Sequence, residues 1–280
     1  MSEIIRGRRL AKSIRGKVAK RIDKLDHPPG LAAILVGDDP ASKLYVGLKE
    51  KAAKEVGIYF ERIEFKANVL EGKLIKEIKK LNARDDIHGI LVQLPLPNQN
   101  EDKVINEIKW SKDVDGFHRK SLKRLNQGKP SLVSPVALAI MRLVQETHQP
   151  LTGKNALVIA NHEVFAEPLI KLFADVGVAA GYIPPTESMI ETKTRAADIL
   201  VVAVGIPDFL TNENTKEGGI IIDVGTNKVE ERTVGDAAQS VDGHTGFVSP
   251  VPGGVGPLTV AYLLNNVLKA TIMNDDEEES

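Results

Sequence analysis

Uninterrupted apolar runs alternate along this chain with stretches in which apolar residues recur every three or four positions. The runs are "LAAILVG" (31–37), "HGILVQL" (88–94), "NALVIA" (155–160), "DILVVAVG" (198–205) and "GIIIDVG" (219–225). Strands buried on both faces have this continuous character, so parallel sheets covered by helices are predicted. The helical stretches are Ala41–Val56, "LEGKLIKEIKKL" from Leu70, "PVALAIMRLVQE" from Pro135 and "PLTVAYLLNNVLKA" from Pro257. Leu10, Ile14, Val18 and Ile22 share one face of a further helix near the start. Strands alternating with helices imply an α/β fold built from right-handed crossovers. Ligands of such sheets bind beyond the carboxyl ends of the strands, which directs attention to the loops after Gly37, Leu94, Ala160, Gly205 and Gly225.

With 280 residues the chain exceeds the usual single domain of roughly 100–200, and two domains are expected. Around Gly116–Pro135 the apolar runs stop and basic and polar residues dominate, so the boundary is placed there: 1–117, then 118–256. The closing "NDDEEES" reads as part of a solvated, disordered acidic tail over 272–280. Charge changes the picture little. With 37 basic against 38 acidic residues, a broad phosphate-binding surface is not expected, and small-molecule partners are favoured. The absence of cysteine excludes disulfides, thiolate metal sites and a cysteine nucleophile. No apolar run approaches the ~20 residues of a membrane span, and the basic start lacks a secretory signal pattern, so a cytoplasmic location is expected.

The candidate chemistry is sparse and local. In "GDDPASKLYVGLKEKAAKEVGI", Tyr45 and Lys49 stand four apart, one turn from each other on a helix face. A ring beside an amine can hold an aromatic substrate next to a proton-transferring group; surface lysines give the same pattern. In "HGILVQLPLP", Gln93 sits at a strand end that Pro95 and Pro97 halt, where an amide can bond to an amine, a substrate or loop backbone. "SKDVDGFH" supplies Asp113 and Asp115 before Gly116, one to cap the turn and the other to face a ligand.

Taken in order, these segments with "ADILVVAVGIPDF", "GGIIIDVGTN" and "PVPGGVGPLTVAYLLNN" resemble the bifunctional methylenetetrahydrofolate dehydrogenase/methenyltetrahydrofolate cyclohydrolase family, FolD-type, over nearly the whole chain. The resemblance implies two α/β domains with a cleft between them, folate on the first and NADP on a Rossmann-like second. It implies a catalytic Lys49, a ring-stacking Tyr45, a Gln93 that tunes the lysine and an Asp115 that binds the pterin's amino edge. Val92, Leu94, Gly256 and Pro257 are implied near the folate. The final helix, 257–271, is implied to pack back on the first domain, and a homodimer is implied. The implied reactions are oxidation of the methylene bridge between two folate nitrogens and hydrolysis of the methenyl cation. A lysine with a free pKa of about 10.4 is a poor base at neutral pH, and each unit of lowering costs about 1.4 kcal/mol. Desolvation and the cationic substrate both act in that direction.

The departures cluster on the nucleotide side. The family's Gly-Arg-Ser-x-x-Val-Gly-x-Pro is here Ala160 to Pro168, with alanine at both glycines, Asn161 for the cation and His162 following. A methyl is expected to interfere where backbone approaches phosphate or φ is positive, and Glu163 and Glu167 add negative charge. Pro184 and Pro185 remove two backbone donors after the next strand, and Thr226 replaces an isoleucine near the nicotinamide. Three readings follow: a bifunctional enzyme using NADP through an unusual loop; a cyclohydrolase whose dehydrogenase is lost or shifted to NAD; and a non-catalytic folate-binding scaffold, which the retained Lys49 and Gln93 disfavour.

Overall fold

The computed structural model describes residues 1–278. In chain order its elements are β1 (Glu3–Ile4), α1 (Gly7–Ile22), β2 (Gly30–Val36), α2 (Pro40–Glu55), β3 (Tyr59–Phe65), α3 (Glu71–Asn82), β4 (Gly89–Val92) and α4 (Glu101–Ile105). Next come α5 (Arg119–Asn126), α6 (Pro135–Glu146), β5 (Asn155–Ala160), α7 (Glu163–Asp175), β6 (Ala179–Ile183), α8 (Ile190–Ala196) and β7 (Ile199–Ala203). The remainder is β8 (Ile220–Asp223), β9 (Asn227–Val229), β10 (Arg232–Val234), β11 (Phe247–Val248) and α9 (Val255–Glu278). They form two compact units, one of Lys12–Pro135 with α9 from Val260 onward, the other of Met1–Ala11 with Val136–Thr259.

The unit beginning at Lys12 is organised by β2, whose seven residues are all buried in the centre of a parallel sheet ordered β3-β2-β4. Alternate β2 side chains serve two cores, as the period of two requires. Leu31, Ala33 and Leu35 meet Val18 and Ile22 of α1, Val46 and Ala53 of α2, and Leu264 and Val267 of α9. Ala32, Ile34 and Val36 meet Leu74, Ile78 and Leu81 of α3. The edge strand β3, "YFERIEF", interleaves charges with apolar residues and so is absent from the continuous apolar runs.

Residues 116–135 belong to this unit, so the division falls after Pro135 instead of after residue 117. The reason is four well-buried anchors, Leu122, Leu125, Leu132 and Val133, too scattered among cations to read as a run. Gly116, at φ +71, lies so close to the following chain that a Cβ there would sit 2.6 Å from the Ser134 nitrogen. Asn266 of α9 completes the clamp, donating through Nδ2 to the carbonyls of Val114 (2.9 Å) and Val133 (2.8 Å).

In the other unit six parallel strands are ordered β1-β11-β8-β7-β5-β6. The chain winds from β5 to β6 on one side and to β7 and β8 on the other, which places a ligand crevice at the carboxyl ends of β5 and β7. Ile159, Leu200, Val202 and Ile221 lie in its core. Ile4 of β1 pairs with Val248, which ties the first residues to this unit and not to the one where the sequence pattern placed them. The short β9 and β10 form an antiparallel hairpin.

Helix α9 runs to Glu278, past the expected end at 271, because Glu is compatible with helical backbone; the last two residues of the expected acidic tail lie outside the described residues. Among the described residues no helix is long and apolar enough to cross a membrane.

Since Leu264 is fully buried and Leu44 is 62% exposed, Leu264→Ala is expected to lower unfolding free energy by about 2–5 kcal/mol. Leu44→Ala should change it by less than about 0.5 kcal/mol, as checked by urea denaturation.

Candidate active site

Helix α2 starts sharply. The Asp39 carboxylate accepts from the Ser42 nitrogen at 2.7 Å, and Pro40 supplies the fixed φ of the first turn. The register so set buries Ser42, Val46, Lys49 and Ala53, a stripe at spacings of four, three and four. Lys49 therefore occupies a core position of the helix and is only 9% exposed.

Its Nζ donates to Gln93 Oε1 at 2.9 Å. Gln93 is held from both ends: its backbone nitrogen donates to the Ile34 carbonyl at 2.9 Å, and its Nε2 donates to the Leu94 carbonyl at 2.7 Å. With the amide NH2 committed, the amide oxygen is the end left to face the lysine. Gln93 and Leu94 lie just beyond β4, which ends at Val92 and not at 94 as the apolar run suggested; the Leu94–Pro95 peptide is cis.

The two aspartates of "KDVDGF" divide their roles. Asp113, bridged to Ile90 beside β4, accepts from the nitrogens of Gly116 (3.2 Å) and His118 (2.8 Å) and from Ser121 Oγ (3.4 Å). It caps the turn. Asp115 is half-buried, and its charge acts on Lys49. Burial pushes the Lys49 amine below its ordinary value, and Asp115 opposes this. Burial likewise pushes the Asp115 carboxyl up, and Lys49 opposes that. Asp113 is pushed up to about 7, chiefly by burial, with the neighbouring Asp115 adding to the rise against its backbone hydrogen bonds. Lys49, Gln93 and Asp115 are thus brought together within one unit, with Tyr45 half-buried one turn before Lys49, Val92 buried and Leu94 half-buried.

In the other unit the glycine-free loop is unstrained. Ala160 is the last residue of β5, pairs with Ala203 and is buried, as is Ala166. Among the described residues the non-glycine residues at positive φ are His148, Asp208 and Glu230; position 160 is ordinary strand, so its methyl meets no positive φ. Asn161 Nδ2 donates to the Val204 carbonyl at 3.1 Å, joining the loops after β5 and β7 where strand order reverses. His162 is the N-cap of α7 without a side-chain capping bond, and Asn161, His162 and Glu163 are exposed. The Phe165 nitrogen donates to the His162 carbonyl at 3.2 Å, and the earlier N–H groups of a helix's first turn, which have no intrahelical acceptor, suit an anion. Pro185 is half-buried after β6, and Thr226 is exposed after β8. Gly256 and Pro257 fall in the first turn of α9, within this unit. The sequence pattern did not single out Asp223, the last residue of β8, or Asp236, two residues past β10, both buried; their signal is a nearby glycine, two residues after the first in "DVG" and directly before the second in "GD".

Residues 5–115 match the family model for the tetrahydrofolate dehydrogenase/cyclohydrolase catalytic domain, and residues 134–275 match that for its NAD(P)-binding domain. The chain belongs to the tetrahydrofolate dehydrogenase/cyclohydrolase family. The bifunctional protein FolD of Bacillus cereus strain AH187 is 41% identical over 273 residues, 95% of this chain and 96% of that protein. The bifunctional FolD enzyme of Campylobacter jejuni superposes with a TM-score of 0.92 at 34% identity, covering 98% of this chain and 100% of that one. The Trypanosoma brucei FolD, solved with NADP cofactor and an inhibitor, gives 0.91 at 31%, covering 98% of each. Lys49, Gln93 and Asp115 fall within the family's catalytic domain and Ala160–His162 within its NAD(P)-binding domain.

The raised Asp113 makes a signed prediction. Between the unfolded value near 3.8 and the folded value of about 7, the folded state binds the extra proton, so this group adds stability as pH falls. Relative to Asp113→Asn, which cannot titrate there, the wild type should gain stability from pH 8 to pH 5 in paired denaturant titrations. A pH-independent difference would contradict the assignment.

Proposed function

We propose that this protein oxidises 5,10-methylenetetrahydrofolate with a nicotinamide dinucleotide and hydrolyses the resulting 5,10-methenyl cation to 10-formyltetrahydrofolate. The observation that carries this reading is the buried Lys49 amine, hydrogen-bonded to Gln93 at 2.9 Å and facing the charge of Asp115. A folate-binding scaffold has no use for so costly a group.

In hydrolysis, Lys49 commits one N–H to Gln93 and, when neutral, keeps its lone pair for a water proton. As water adds to the methenyl carbon, its proton passes to Lys49 Nζ. Lys49 returns a proton to N5 as the carbon–N5 bond breaks, the adduct's hydroxyl proton leaves to solvent as the formyl C=O forms, and one proton is released per cation consumed. Desolvation lets the amine do this nearer neutral pH. Tyr45 stacks on the folate rings, Asp115 accepts from the pterin amino edge, and Val92 and Leu94 line the substrate.

In oxidation a bound nicotinamide would supply the acceptor for hydride, the hydrogen that leaves the methylene carbon with its two electrons to give the methenyl cation. The uncapped start of α7, with Asn161 and His162, fits the pyrophosphate of a dinucleotide, with Pro185 and Thr226 flanking it. A 2′-phosphate finds less: Asn161 is neutral and tied to Val204, and Glu163 follows in the first turn. That observation favours a second reading, NAD in place of NADP. A homodimer and a cytoplasmic location complete the proposal and rest on the family resemblance.

Lys49→Met should lower hydrolysis by roughly 10²–10⁴-fold, with the wild-type rate rising with pH as Lys49 loses its proton. Unchanged turnover in an absorbance assay of the methenyl cation would remove Lys49 from the mechanism. Oxidation assayed with NADP and with NAD should show turnover, the second reading being the one that gives the lower KM with NAD, and no oxidation with either would reduce the activity to hydrolysis.

A further inference from the structure

The loops at the carboxyl ends of β7 and β8 are held by two carboxylates that face each other's glycines. Asp236 is fully buried and accepts four hydrogen bonds: from the consecutive nitrogens of Val204 (2.7 Å), Gly205 (3.1 Å) and Ile206 (3.0 Å), and from Asn227 Nδ2 (2.8 Å). Three successive N–H groups converging on one point form a nest of the kind that binds anions, here filled by the protein's own carboxylate. Asp223 accepts from the nitrogens of Gly225 (2.9 Å), Asp236 (3.0 Å) and Ala237 (2.9 Å), closing the base of the β9–β10 hairpin. Ser249 Oγ in turn receives the Asp223 nitrogen at 2.8 Å.

The arrangement is reciprocal. A Cβ on Gly225 would lie 2.2 Å from the Asp236 carboxyl carbon, and one on Gly235 would lie 1.9 Å from Asp223 Oδ2. Each aspartate reaches its donors only because the other's neighbour has no side chain. The backbone of residue 236 also pairs with Leu210, which donates to its carbonyl at 3.1 Å, so the exposed stretch Gly205–Asp208 is stapled at both ends by one residue. Within that stretch Asp208 holds φ +57, a left-handed turn conformation that aspartate adopts more readily than most residues. Buried carboxylates are costly, and apolar packing would serve plain stability as well. What the two carboxylates fix is the shape of the loops at the mouth of the sheet, where ligands of such sheets bind.

We propose that Asp223 and Asp236 form a reciprocal carboxylate–glycine lock that holds Gly205–Asp208 and Gly225–Asn227 in the arrangement that receives the nicotinamide nucleotide, with Asp236 as the positioning residue. The proposal rests on the oxidation reading above. In the full-length protein, Asp236→Asn leaves a neutral amide against three N–H donors, and Gly225→Ala pushes the lock apart from the other side. Both should raise the KM for nucleotide by about tenfold or more, with kcat at saturating nucleotide within about threefold and hydrolysis of the methenyl cation, which uses no nucleotide, within about twofold. A parallel fall in hydrolysis and melting temperature, or an unchanged nucleotide KM, would overturn the positioning role. Amide hydrogen exchange on the wild type needs no variant: Gly205 and Ile206, in an exposed loop, should be protected without nucleotide, and exchange at free-loop rates would overturn the lock. Absence of any nucleotide-dependent oxidation in the wild type would instead sink the oxidation reading, and with it the purpose of the lock.

Discussion

The catalytic end of this protein depends on an amine held where water solvates it poorly. Lys49 falls on the buried stripe of α2, between Val46 and Ala53, and the helix cannot rotate it outward without exposing those residues. The cap at Asp39 and Pro40 fixes the register, so the first residues of the helix decide the state of a side chain nearly three turns on. Gln93 does not lower the amine's pKa, since its oxygen accepts from Nζ and an acceptor favours the ammonium. Its contribution is direction. Burial lowers the pKa, and Asp115 moderates the effect.

Asp115 depends in turn on the clamp behind it. Asp113 takes the N–H groups of Gly116 and His118, and Asn266 takes the Val114 carbonyl, so backbone on each side of Asp115 is fixed by a buried polar group. The segment is polar by composition but belongs to the core through these bonds. In the nucleotide unit the same device recurs: buried carboxylates on backbone N–H groups set loops at the sheet's mouth, while the loop after β5 has settled into ordinary strand and helix geometry around two alanines.

The interior strands were legible because strands buried on both faces are continuous apolar runs; "NALVIA" is β5 to the residue. β1, β3, β9, β10 and β11 were not, being short or edge strands in which charge interrupts the pattern. Lys49, Gln93 and Asp115 could be singled out from loop position and resemblance, but the burial of Lys49 needed the register of the Ser42–Ala53 stripe, which the three other lysines of α2, Lys43, Lys51 and Lys54, obscure. The domain division was misplaced because four scattered anchors do not make a run. Asp223 and Asp236 were missed for a different reason: each binds across the chain to backbone amides, and the nearby glycines alone do not name a partner for a side chain that bonds to main chain.

The most direct test of the central claim is the ionisation of Lys49 itself, followed by NMR of protein labelled at lysine Cε, with the signal assigned by its loss in Lys49→Met. The account predicts that the Lys49 signal titrates clearly below the ordinary value of 10.5. A Lys49 that titrates at or above that value would contradict it, because the amine would then be an ammonium at neutral pH and unable to take a proton from water.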